Sequence, residues 1–289
     1  MSYKKICEES LKRSNLDFKQ LSNLLEIAKN VSIKGGKSLM ENFGKISKIN
    51  TKTNIGDLVT NADLLSEKII IEYLNRKTPE IQILAEESGR GGNQSSQLIW
   101  CIDPLDGTTN YAHGYPFFAT SIGLCFEDIP LLGAIYIPFI QESYYGAPTI
   151  GSFCNGRNIN VSKTNCLEKS LLVTGFSYDR KTSVKNNYSE FCWMTNITRG
   201  VRRGGAAAVD LAFIANGRLD GYWERGLAKW DMAAGVPIVE NAGGIVRDFE
   251  DGNFNLSNGK ILACTPAIKN EMLIELKKTK PINEKEFLK

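Results

Sequence analysis

Strand-forming segments come in runs along this chain, and helical segments do too. Residues 81–85 (Ile-Gln-Ile-Leu-Ala) and 98–102 (Leu-Ile-Trp-Cys-Ile) each read as a strand. Residues 118–126, 131–137 and 143–147, with turn residues between them, read as an antiparallel meander. Further strands are expected at 170–174, 219–224 and 261–263. Grouping of this kind favours layered α/β sheets of the α+β type over a doubly wound sheet, which needs alternation.

Helical periodicity fills the rest. Asp17 can cap a helix in which Phe18, Leu21, Leu24, Leu25, Ala28 and Val31 keep a 3.6-residue spacing, with an interruption or bend expected at Gly35-Gly36. A second helix is expected from Ala62 to about Lys77, stopped by Pro79. Others are expected at 186–195, 206–216 (closed by Gly217), 230–242 (ending at Gly243-Gly244) and 266–278. Residues 45–54 read as a loop or weak hairpin, and 89–96, rich in glycine and serine, as a flexible loop.

The segment Asp103-Pro104-Leu105-Asp106-Gly107-Thr108-Thr109-Asn110 carries the most chemistry. An apolar strand delivers two aspartates to its end, Pro104 fixes the backbone between them, and Gly107 permits a tight turn. Two carboxylates so spaced can share hard cations, and N–H groups opening a helix after them can hold a phosphate. The same segment also fits an Asx-type turn with capping residues. Glu86-Glu87 at the end of one apolar strand and Asp231 at the start of one apolar helix repeat the arrangement. Alone, each fits a solvated loop acid or an N-cap; together, acids at several element ends form an oxygen-ligand site suited to Mg²⁺.

Composition limits the alternatives. A net charge of +3 on 289 residues is too small to argue for nucleic acid or an anionic membrane. The single histidine, His113, makes a zinc site unattractive, and its tyrosine neighbours at 111 and 115 suggest packing rather than general-base work. Seven cysteines, with no C-x-x-C pair, read as reduced and mostly buried thiols of a cytoplasmic protein. The polar residues 1–15 lack the apolar core of a signal peptide.

With these motifs in place, the chain resembles the inositol monophosphatase family, the Mg²⁺-dependent, lithium-sensitive phosphatases. Asp103 to Asn110 resembles its first signature; Trp230-Asp231-Met232-Ala233-Ala234-Gly235 with Glu240-Asn241-Ala242-Gly243-Gly244 resembles its second. The stretch from Asp57 to Asp63 and Ala85-Glu86-Glu87-Ser88 match two further acidic motifs in the family's order, over roughly residues 20–275. Ala85 departs from the glycine common at that position.

The resemblance implies an α/β/α/β/α sandwich of the inositol monophosphatase and fructose-1,6-bisphosphatase type. It would form one domain over 17–280 with sub-halves near 17–160 and 161–280, after an N-terminal extension at 1–16. It implies two to three Mg²⁺ ions: the first on Glu86, Asp103 and the carbonyl of Leu105, the second on Asp103, Asp106 and Asp231, and a weaker third near Glu86. Asp63 is expected to hold Thr108, which with Glu86 orients the attacking metal-bound water. Gly107 and Thr108 are expected to meet the phosphate through N–H groups. Gly205, Ala206, Ala207 and Glu224 match positions that contact the organic part of the substrate; Glu86, Leu105, Asp106 and Asp231 are also expected to bind substrate. For Glu224, a surface pair with Arg225 is the competing reading; Lys52 matches a loop lysine, and Arg202-Arg203 fit phosphate binding or a surface role equally.

The implied activity is hydrolysis of inositol monophosphate or a similar small sugar phosphate by direct attack of water. Histidinol phosphate and fructose 1,6-bisphosphate are alternative substrates. The partners expected are a small phosphate monoester and a second copy in a homodimer, with no nucleic acid and no membrane. A role as an RNA-processing or transcription partner is the competing reading from another class.

Overall fold

The computed structural model describes residues 3–45, 49–51, 58–248 and 252–282. Asp57 and Lys52 lie outside them.

Helix α1 (Tyr3–Arg13) is followed by α2 (Phe18–Asn42), whose first turn is closed by the Asp17–Gln20 capping box. The short hairpin β1 (Ile49–Thr51) and β2 (Leu58–Thr60) leads into α3 (Asn61–Lys77). Then come β3 (Gln82–Ala85), β4 (Gly89–Gly92), β5 (Leu98–Asp106), the single-turn helix α4 (Thr108–Ala112), and β6 (Ala119–Phe126), β7 (Ile129–Ile137), β8 (Glu142–Ala147), β9 (Gly151–Cys154) and β10 (Arg157–Asn158). The second half holds β11 (Leu171–Thr174), α5 (Tyr188–Ile197), β12 (Gly200–Arg202), α6 (Ala207–Ala215), β13 (Gly221–Arg225), α7 (Lys229–Ala233), α8 (Gly235–Asn241), β14 (Ile245–Arg247), β15 (Lys260–Cys264) and α9 (Lys269–Lys278).

Eight strands form one sheet in the order β10-β9-β8-β7-β6-β5-β3-β4, and five form another in the order β12-β11-β13-β15-β14. Period-two alternation sorts their side chains into layers. On β5, Trp100 and Ile102 face α2 and α3 with Leu21, Leu25, Val31, Ile70 and Leu74, whereas Cys101 faces the space between the sheets. On β13 and β15, Tyr222, Ile261 and Ala263 face that same space, where α6, α7 and α8 lie. Trp223, Leu262 and Cys264 face α5 and α9 through Met194, Met272 and Leu276. Helix, sheet, helix, sheet, helix: the layered α+β sandwich is the observed architecture.

The meander runs as expected from β6 to β8 and continues into β9 and β10. Several expectations are corrected. Helix α2 runs unbroken through Gly35-Gly36, because those positions seat Ile70 and Tyr136 against the helix where a larger side chain would collide. Residues 89–92 are not a free loop but strand β4, paired antiparallel with β3 and held by Arg90 Nη1 donating to Gln82 Oε1 at 2.9 Å. The helix expected over 230–242 is two, α7 and α8, since Pro237 has no N–H for the carbonyl four residues earlier. Apart from these corrections, the N-terminal segment, for which the sequence set no structural expectation, is a helix docked on β7: the buried Tyr3 hydroxyl donates to the Pro130 carbonyl at 2.5 Å.

Two inner glycines of the large sheet matter for the site. A Cβ on Gly123 would lie 2.6 Å from the Ala233 carbonyl carbon, and one on Gly133 would lie 2.5 Å from Ala234 Cα. Their lack of a side chain lets α7 and α8 rest directly on β6 and β7, which fixes the depth at which Asp231 sits.

Candidate active site

β3 and β5 run parallel and end side by side, with Ala85 opposite Ile102. Glu86 N–H continues the ladder to the Ile102 carbonyl at 3.1 Å. Glu86 and Asp103 therefore leave adjacent strand ends together. The pairing of β5 with β6 slips between Asp103 and Asp106, an irregularity that turns both aspartates toward one place. Asp103 Oδ1 accepts the Leu105 N–H at 3.0 Å, so the Asx turn is real and coexists with a place in the cleft lining. Gly107 closes the segment at φ +91°, and its neighbours Phe117 O and Ala206 Cβ leave no room for a side chain.

Asp106 reaches across the molecule. Its Oδ1 accepts the Ala207 N–H at 3.1 Å and its Oδ2 the Ala208 N–H at 2.7 Å. It thereby caps α6, whose own N-cap Ala206 has no side-chain acceptor. Asp231, in the first turn of α7, accepts the Ala228 N–H at 2.7 Å. Asp63, fully buried in the first turn of α3, accepts the Thr60 N–H at 2.9 Å and the Thr108 hydroxyl at 3.1 Å. The Thr108 hydroxyl also lies 3.1 Å from the Leu105 carbonyl.

These residues surround one cleft of about 690 Å³. Its lining includes Glu86, Asp103, Leu105, Asp106, Gly107, Thr108, Gly205, Ala206, Ala207, Glu224 and Asp231. Of the acids singled out from sequence, Asp63 and Glu87 are absent from the lining, and Asp63 lies behind Thr108. The lining also holds residues that the sequence reading missed: Phe176, Ser177, Tyr178 and Arg180 from the loop after β11, and residues 226–228 after β13. Of the two arginines left open, Arg203 lines the cleft and Arg202 does not. Nothing in local composition marks 176–180; a chemically mixed segment directly after a strand of the second sheet is the one signal available.

Crowding of acids sets the electrostatics. Burial, then Glu86, Asp106 and Asp231, push the Asp103 carboxyl well above the usual range. Burial raises Asp106 to about 7 despite its bonds to the α6 amides. Burial and the neighbouring Asp106 and Glu86 push Asp231 up strongly. Asp63 is also raised by burial, against its hydrogen bonds. Glu224 accepts the Tyr222 hydroxyl at 2.6 Å and is raised to about 7 by burial. The expected competitor pairing is absent: Arg225 binds Glu190 at 3.0 Å instead. His113 is exposed and outside the cleft lining, and the packing expected of it is not found.

Residues 20–280 match the model of the inositol monophosphatase family. The chain belongs to the inositol monophosphatase family. Among its relatives, an inositol-1-monophosphatase of Synechocystis is 50% identical over 87% of this chain and 88% of its own. A Nus factor SuhB of Pseudomonas aeruginosa is 37% identical over 83% of this chain and 90% of its own. The structure of an inositol monophosphatase from Anabaena superposes with a TM-score of 0.83 at 44% identity, covering 91% of this chain and 98% of that one. As a member of this family, the protein is a phosphatase that hydrolyses phosphate monoesters. Among the described residues, no helix is long and apolar enough to cross a membrane.

Proposed function

We propose that the protein hydrolyses inositol monophosphate or a similar small sugar phosphate by direct attack of water, with two to three Mg²⁺ ions held by Glu86, Asp103, Asp106, Asp231 and the Leu105 carbonyl. One observation carries this reading: Glu86, Asp103, Asp106 and Asp231 line a single cleft together with Leu105 and Glu224.

The donor set suits Mg²⁺. It consists of oxygens alone, which a small hard cation prefers. The three aspartates are driven toward protonation by burial and by one another, and a divalent cation would relieve that repulsion. Among the described residues no three acids are already drawn into a coordinating cluster. Asp103, Asp106 and Asp231 hold main-chain amides, yet a carboxylate oxygen engaged by one N–H keeps a second lone pair for a cation. Bound there, Mg²⁺ supplies positive charge to the phosphoryl oxygens and acidifies water.

The chain's own groups do the positioning that phosphoryl transfer mainly requires. The Thr108 proton is committed to Asp63 or to the Leu105 carbonyl, so the hydroxyl oxygen offers its lone pairs to a water. Glu86 is the second acceptor, and the two together aim that water at phosphorus. The N–H groups of Gly107 and Thr108 meet the phosphate. Ala207 already gives its N–H to Asp106, so residues 205–207 shape the wall against which the ring lies. Glu224 accepts from ring hydroxyls, and Arg203 and Arg180, also in the lining, donate to the leaving group's oxygens. A cytoplasmic homodimer with no nucleic-acid or membrane partner completes the reading on the family's expectation, and light scattering tests the assembly.

Phosphate release from a panel of inositol, sugar and histidinol monophosphates and fructose 1,6-bisphosphate tests the proposal. Mg²⁺-dependent turnover is expected, highest on a cyclitol or sugar monophosphate, and Asp103→Asn should lower it by about 10³-fold, the scale of several kcal/mol of lost charge stabilisation. Folded protein that turns over no monoester with Mg²⁺ present would leave the partner role of a SuhB-like protein as the better account.

A further inference from the structure

Helix α3 meets both acid-bearing turns with one face. Asp63 takes the Thr108 hydroxyl at 3.1 Å, Ser66 donates to the Pro104 carbonyl at 3.0 Å, and Glu67 Oε2 accepts the Glu87 N–H at 2.9 Å. Positions 63, 66 and 67 are spaced i, i+3 and i+4, the spacing of neighbours on a helix surface. The helix thus holds the 104–108 turn with two side chains and the 86–87 turn with the third. Glu67 is only 4% exposed and is not part of the cleft lining. Burying a carboxylate is costly unless it is put to use, and the use visible here is a charge-assisted bond to one main-chain amide.

That amide belongs to the residue after Glu86. The N–H of Glu86 is held by Ile102 and the N–H of Glu87 by Glu67. With the peptides on both sides of Glu86 tied, the direction of its Cα–Cβ bond is fixed relative to Asp103. We propose that Glu67 is a positioning residue for Glu86 and sets the affinity with which the cleft holds Mg²⁺. This rests on the proposed role of Glu86 as a ligand. Without the Glu67 acceptor, the 86–88 turn relaxes and the Glu86 carboxylate spends less of its time where the ion needs it. Apparent affinity falls with that fraction, and loss of an outer partner of a metal ligand typically costs about 10–100-fold.

The test is calorimetric titration with Mg²⁺ of the wild type, Glu67→Gln, Glu67→Met and Glu86→Gln, with circular dichroism and melting curves alongside. Gln keeps an acceptor at the same reach, whereas Met keeps the volume without it. Glu67→Met should weaken Mg²⁺ binding about tenfold or more and raise the Mg²⁺ needed for half-maximal turnover by the same factor. Its kcat at saturating Mg²⁺ should stay near the wild-type value, and Glu67→Gln should restore most of the affinity. A folded Met variant that binds Mg²⁺ like the wild type overturns the proposal, as does equal loss in Met and Gln. Should the Met variant not fold, Glu67→Asp replaces it: its acceptor is withdrawn by one methylene, so affinity must fall with Asp and persist with Gln, and equal affinities overturn the proposal. If Glu86→Gln leaves Mg²⁺ affinity unchanged, the ligand role of Glu86 itself fails. An effect at residue 86 with none at 67 sinks the positioning role alone.

Discussion

The aspartates of the cleft and the rest of its lining are held in different ways. Asp103, Asp106 and Asp231 each accept main-chain amides, of Leu105, of Ala207 and Ala208, and of Ala228. Such partners move only if the backbone moves. The remaining lining hangs on side chains and local turns: Glu224 on the Tyr222 hydroxyl, Arg180 on the Ser177 carbonyl at 3.2 Å. The loop that carries Ser177, Tyr178 and Arg180 is closed at its far end by Asn187, which donates to the Gly175 carbonyl and accepts the Trp223 indole N–H. The difference teaches where tolerance lies. The three aspartates are tied to backbone, whereas Glu224 and Arg180, assigned to the organic part of the substrate, are tied through side chains and a local turn.

Striking at the foundation of the acid side should have the largest effect. In Gly133→Ala the new methyl would press on the Ala234 backbone, lifting α7 and α8 from the sheet and Asp231 with them. A loss of about 3 kcal/mol in stability, the upper range for overpacking, is expected in denaturant melts, with weaker Mg²⁺ binding. A variant as stable as the wild type would show that the seat of α7 on the sheet is soft.

Proton linkage probes the same side more gently. Asp106 and Glu224 have folded-state values of about 7, above ordinary values of 3.8 and 4.5. Between those limits the folded chain binds more protons than the unfolded one, so stability from these groups is full at low pH and lost as pH rises toward and through 7. Metal-free protein should therefore melt at a lower temperature at pH 8 than at pH 5.5, and Mg²⁺ should recover more of the difference at pH 8. A melting temperature that rises over this interval without Mg²⁺ would mean that other groups outweigh the crowded acids.

The smallest change is expected on the other side of the comparison. Glu224→Gln should leave Mg²⁺ affinity and the fold intact and alter the ranking of substrates. A shift of about tenfold in relative kcat/KM among polyol phosphates is the scale of one lost charge-assisted hydrogen bond. Equal losses on every substrate, or a fall in Mg²⁺ affinity, would erase the distinction between the two kinds of lining.

Legibility in the sequence followed the same division. The ion-side acids were readable because each sits where an apolar run stops, and Asp17, Pro79 and Gly217 marked element ends by local chemistry. Strands β9, β10, β12 and β14 were missed: each has four residues or fewer and is defined by its neighbours rather than by its own pattern. Residues 176–180 were missed because a loop of this kind carries no periodicity. Arg203 was seen but left open, since charge alone does not distinguish a cleft from a surface. Glu67 escaped notice as an ordinary helical acid, and only the tertiary bond to Glu87 reveals its use.

The bond of Asp106 to the amides of α6 also bears on how the molecule comes into being. Glu86, Asp103 and Asp106 leave the ribosome well before residues 207, 208 and 231. Until those arrive, the first half carries acids but no cleft, because α6, α7 and the strand that bears Glu224 supply the remaining walls. Asp106 then closes the end of a helix made after it. The working site is thus a property of the finished chain, and a product truncated before α6 would lack it.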